Sequence, residues 1–87
     1  MTLKELGVII EEPLEVNYCG NLKQYIVHFH RAEVLAGVSV YAGVAGYGNK
    51  IKTAKRNYAR GLRGQQLVVN AMTADERKYS IPHTLVA

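Results

Sequence analysis

Nineteen residues in the second half of the chain, Gly46 to Gly64 (GYGNKIKTAKRNYARGLRG), constrain the fold more than any other stretch. They open on closely spaced glycines, carry a helical repeat and stop at a glycine. Ile51, Ala54, Tyr58 and Leu62 recur at three- and four-residue intervals, which gives a helix here a single apolar stripe. The spacing predicts a helix from about Lys50 to Arg63, with Asn49 as its N-cap and Gly64 as the residue that ends it. Gly61 weakens its last turn. A lone helix with one apolar stripe needs a sheet to cover it, so the remainder of the chain must supply strands.

It does. Leu14 to Cys19 alternates, with Leu14, Val16 and Tyr18 on one side and Glu15, Asn17 and Cys19 on the other. Gly20-Asn21 suits the positive φ angles of a tight hairpin turn. Lys23 to His30 is the return strand, with Tyr25, Val27 and Phe29 on one face and Gln24, Ile26, His28 and His30 on the other. A third strand runs through Val38, Ser39, Val40 and on to Val44, after a bend at Ala36-Gly37. Gly43, Gly46 and Gly48 mark a bulged or strongly bent end to it.

After the helix, Leu67 to Met72 reads as a fourth strand and Thr73 to Arg77 as a polar turn. Lys78 to Ile81 is a short fifth strand, stopped by Pro82. At the N-terminus, Thr2 and Glu5 have capping-box spacing, and Gly7 ends that helix after one or two turns. The β-branched Val8, Ile9 and Ile10 then begin a strand or extended arm, interrupted by Pro13. The order β-β-β-α-β predicts an α+β fold: an antiparallel sheet of four or five strands with one amphipathic helix packed on one face. Residues 1–87 are expected to form one domain, since chains divide into separate cores only at greater length.

Charge is unevenly spread along the chain, whose net value is +4. Four of the seven acids (Glu5, Glu11, Glu12, Glu15) fall in the first fifteen residues, and none lies between Glu33 and Asp75. Six of the eleven Lys and Arg residues lie in the helix: Lys50, Lys52, Lys55, Arg56, Arg60 and Arg63. Lys52, Arg56, Arg60 and Arg63 stand at i, i+4, i+8 and i+11, about 16 Å of helix, a length that follows several phosphates. A solvated face is the ordinary explanation of such a stripe. It normally interleaves Glu with Lys, because like charges at i,i+4 repel by a few tenths of a kcal/mol. Lys50 and Lys52 also sit at the positive end of the helix dipole, where they oppose folding. The six cations are therefore candidate contacts to a nucleic acid or a nucleoprotein complex. The alternative is a homodimer in which the acidic N-terminal arm of one chain covers the basic helix of another.

Other features carry less. Gly46-Tyr47-Gly48 offers backbone amides at a helix start, but lacks the lysine and hydroxyl of a P-loop and the third glycine of a dinucleotide fingerprint; a turn is the better reading. His28 and His30 share a strand face, yet a tetrahedral metal site needs His83, Cys19 or Glu33 to converge on them. No metal or other cofactor is expected. Cys19 has no basic partner in a nucleophile motif, and Ser, Asp and His are too scattered for a triad, so no catalysis is expected. Tyr25 and Tyr58 belong to the core by spacing, whereas Tyr41 and Tyr47 stack on bases if exposed. A lone cysteine, no signal-peptide pattern and no apolar run near 20 residues place the chain in the cytoplasm, with no membrane partner.

Two resemblances meet on the helix. GYGNKIKTAKRNYA resembles the last helix of double-stranded-RNA-binding domains through Gly46, Gly48, Lys52, Ala54, Lys55 and Ala59. It implies phosphate contacts from Lys52 and Lys55. Ile51 replaces one of that family's paired lysines, Lys50 stands where Ser or Thr is usual, and the family's long first helix is missing. Residues 25–84 are similar to a group of short bacteriophage proteins. The shared run is Gly46-Tyr47-Gly48, Tyr58-Ala59, the Gly64-Gln65-Gln66-Leu67-Val68 strand with Asn70-Ala71, and Pro82. Those proteins start the helix with acids, where this chain has Lys50, Ile51, Lys52 and Thr53. The resemblance implies a phage accessory protein acting in the host bacterial cytoplasm, a setting in which host-defence inhibitors of the anti-CRISPR type are common.

Overall fold

The computed structural model describes residues 1–38 and 40–87. Among them lie α1 (Leu3–Ile10), β1 (Leu14–Cys19), β2 (Gln24–Phe29), β3 (Ala32–Ala36), β4 (Val40–Ala42), β5 (Gly46–Gly48), α2 (Ile51–Leu62), β6 (Gln66–Val69) and β7 (Arg77–Ser80). The fold is α+β, and the strand pairs are antiparallel. The strands divide between two sheets, ordered β1-β2-β5 and β4-β3-β6-β7. Only His30 and Arg31 separate β2 from β3, and Arg31 turns the corner at φ 54°. Coming back, the chain pairs first with β3 (Leu35 opposite Tyr41) and then with β2 (Ile26 opposite Tyr47). One long bent hairpin, with Gly37 at φ 71° near its tip, thus runs through both sheets.

The first hairpin forms, with Val16 opposite Val27 rather than opposite Tyr25 as a two-residue turn at Gly20-Asn21 would set it. Its turn differs: it takes four residues, Gly20 to Lys23, and the positive φ (53°) falls on Lys23 rather than on Gly20-Asn21. β3 escapes sequence reading because alanine and glutamate are poor strand formers; pairing with β4 on one side and β6 on the other makes Ala32–Ala36 a strand. The expected Val38–Val44 strand shortens to Val40–Ala42, and the placement of Ser39 within it lies outside the described residues.

The N-terminal arm is a helix. Thr2 and Glu5 form the capping box, but α1 continues through Gly7 to Ile10 and stops where Glu11 adopts φ 57°. Leu3, Leu6 and Ile10 are buried, a helical spacing that overrides the β-branched run. Gly7 is kept small by packing, since a Cβ there would lie 3.3 Å from Cε1 of Phe29. The buried cluster draws on both helices and both sheets, with Phe29, Tyr58, Ile10, Leu62, Leu67 and Leu85 among its largest members. Phe29 and Tyr58 meet at 5.7 Å between ring centroids, and the Phe29 N–H donates to the Tyr58 hydroxyl at 3.0 Å. That N–H lies beyond the end of β5, so the hydroxyl replaces a missing strand partner. Burial pushes the Tyr58 phenol up to about 12.

Candidate nucleic-acid interface

α2 lies on the first sheet closely enough for backbone to meet backbone. A Cβ on Gly46 would overlap the Ala54 carbonyl and come within 2.5 Å of the Tyr58 nitrogen; one on Gly48 would come within 2.7 Å of the Ala54 nitrogen. These two glycines form a strand that seats the helix, and are neither a turn nor a phosphate cradle. Ala54, Tyr58 and Leu62 are buried as expected, together with Ala59. Ile51 is the exception, 42% exposed in the first turn. Ala59 lies outside the Ile51-Ala54-Tyr58-Leu62 stripe, so the helix buries a wider face than periodicity reveals.

The helix starts one residue later than Asn49 would place it. Lys50 is the N-cap, with extended backbone and no side-chain capping bond, and the first turn holds no acid. Lys50, Lys52, Arg56 and Arg60 are exposed, and Lys55 is half-buried. Among the described residues none of these five forms an ion pair. Arg63 stands apart from them: it is the C-cap, and its Nε donates to the Leu85 carbonyl at 2.7 Å, tying the end of α2 to the C-terminal segment. This bond gives Arg63 a structural role that the other five cations lack. Gly64, at φ 71°, follows as expected, with the His83 ring against its Cα.

The acids at the N-terminus are largely engaged inside the chain. Glu5 belongs to the α1 cap, Glu12 accepts from Arg77 at 3.3 Å, and Glu15 pairs with His30. Arg77 also donates to the Ile10 carbonyl at 2.8 Å, so it closes the last turn of α1. The segment expected as a free acidic arm is thus docked against the core.

The remaining candidates disperse. His28 and His30 share a face, as expected, but His83 sits at the C-terminal end of α2, and no metal-competent cluster occurs among the described residues. Tyr47 is 46% exposed; its glycine neighbours face α2, so it points to the opposite side of the sheet from the helix. Tyr41 is half-buried and donates to Glu76 at 2.9 Å. That carboxyl also accepts from the Met72 N–H; this bond first and the Tyr41 bond second hold it below its usual range. Tyr25 is half-buried against the core.

Beside the basic face lies a groove of about 600 Å³ between α1 and α2, lined by Leu3, Val8, Leu14, Phe29 and Lys55. Nothing in the residue pattern announces it, because its walls come from segments distant in the chain. No helix among the described residues is long and apolar enough to cross a membrane. No family model, curated protein or solved structure matches the chain.

Proposed function

We propose that the chain is a non-catalytic accessory protein that binds a nucleic acid or nucleoprotein through Lys50, Lys52, Lys55, Arg56 and Arg60. One observation carries the reading: these five cations lack acidic partners in the described chain, while the acids concentrated at the N-terminus are mostly taken up within it. Electrostatic repulsion along the helix and at its positive end works against folding, and a polyanion would relieve it. The resemblance of residues 25–84 to short bacteriophage proteins supplies the setting: action in the host cytoplasm against a defence system, in the manner of an anti-CRISPR inhibitor.

Fluorescence anisotropy with a labelled duplex tests the contact. If four of these five cations contact phosphates, log affinity falls with log salt at a slope of about −3 to −4. The Arg56→Glu/Arg60→Glu variant should lose binding while circular dichroism stays unchanged, because both side chains are exposed. Absence of binding to duplex and single strands at about 50 mM salt, where the electrostatic contribution is large, would overturn the nucleic-acid reading. Capture from a bacterial lysate with and without nuclease then separates nucleic acid from nucleoprotein.

A further inference from the structure

We infer that a second copy of this chain pairs with β1 across a two-fold axis at Val16, joining two three-stranded sheets into one of six. Exposed edges invite pairing, and natural sheets blunt them with short strands, charges or covering side chains. Among the described strands, three of the four sheet edges are blunted. On β5, Asn57 Nδ2 donates to the outward carbonyl of Tyr47 at 2.6 Å. β4 has only three residues, and β7 presents Lys78. β1 is six residues long, with no proline, lysine or bulge inside it, and its one charge, Glu15, is paired with His30 on its own sheet.

Its hydrogen bonding sets the geometry. The His30 N–H donates to the Pro13 carbonyl at 3.0 Å. By antiparallel alternation, Glu15, Asn17 and Cys19 then carry the ladder with β2, and the N–H and C=O groups of Leu14, Val16 and Tyr18 point outward. These same three residues face the helix side of the sheet, where Val16 is 39% and Tyr18 58% exposed. Pairing about Val16 sets Val16 against Val16 and Leu14 against Tyr18, which satisfies every outward group of the three. On the other face Glu15 meets Asn17, so no like charges oppose each other.

The shapes also match. Leu14 lines the 600 Å³ groove, and the exposed Tyr18 of the second copy falls directly opposite Leu14, at the groove's mouth. A knob and a recess related by the same axis are the mark of an isologous contact. Strand spacing of about 4.8 Å then puts the two α2 helices on one face, about 20 Å apart.

Sedimentation equilibrium of the full chain should give about 19 kDa, twice the 9.6 kDa of one copy. Val16→Lys and Val16→Pro should each give a monomer with unchanged circular dichroism, since the Val16 N–H takes no part in the β1–β2 ladder. Tyr18→Ala should weaken the dimer at least tenfold. Val16→Cys in a Cys19→Ser background should cross-link on oxidation, whereas Cys19 in the native chain should not. A native chain that is monomeric at about 100 µM, well above the micromolar range of a weak specific dimer, would overturn the inference. So would a dimer that survives Val16→Lys, or one that fails to cross-link through position 16.

Discussion

α1 has its ends tended by side chains of its own chain. Thr2 and Glu5 cap its start, and Arg77 reaches its final carbonyl. α2 begins at Lys50 without a capping bond and places Lys50 and Lys52 where the helix dipole is positive. The N-terminal segment through Glu15 and α2 both carry concentrated charge, yet Glu5, Glu12 and Glu15 are engaged within the fold and most cations of α2 are not. Composition treats the two alike. Pairing is what distinguishes charge that explains the structure from charge that needs a partner.

The contrast can be broken most forcefully at Arg77. Arg77→Ala removes the bonds to Ile10, Glu12 and Tyr79 together. Urea unfolding should show a loss of about 2–3 kcal/mol, as charged hydrogen bonds with partly buried partners cost on removal. A loss below about 0.5 kcal/mol, the level of an ordinary surface change, would place α1's charges in the same class as those of α2.

Tyr58 sharpens the inner side of α2. Its phenol ionises near 12 in the folded chain and near 10 when unfolded. The native state therefore holds the proton more tightly, its contribution is complete below pH 10, and stability falls as pH rises from 10 to 12. The slope is about 1.4 kcal/mol per pH unit. Tyr58→Phe should remove that component of the pH profile, and at neutral pH should cost about 1–2 kcal/mol by orphaning the Phe29 N–H. Denaturant titrations of both proteins at pH 7, 10 and 11.5 decide it.

The smallest effect is the most pointed. Lys50→Asp installs a side-chain cap and relieves the dipole, so thermal denaturation should show a gain of about 1 kcal/mol. If the outer face contacts phosphates, the same variant should bind more weakly, with a salt slope shallower by about 1. Greater stability with unchanged binding would remove Lys50 from the interface.

Much of the fold was legible because its signals are local. Alternation marked β1 and β2, the Ile51-Ala54-Tyr58-Leu62 spacing marked α2, and Gly64 marked its end. The features missed are those whose cause lies elsewhere in the chain. α1 outlasts Gly7 because Phe29 and the core accept Leu3, Leu6 and Ile10, and Ala32–Ala36 is a strand because both neighbours are. The candidate site was legible as composition, six cations without an acid. Sorting them required contacts: Arg63 belongs to the C-terminal segment, and Lys55 overlooks a groove assembled from α1, β1 and β2.

The two glycines beneath α2 have a consequence beyond close packing. Layers of side chains can be repacked as a sequence drifts, and a helix resting on them shifts by fractions of an ångström. α2 rests instead on bare main chain at Gly46 and Gly48, which no substitution can thin. The height and tilt of its outer surface are set by peptide atoms common to every residue. Changes to the hydrocarbon beneath Tyr58 and Leu62 leave these main-chain contacts in place, while positions 46 and 48 admit no side chain at all.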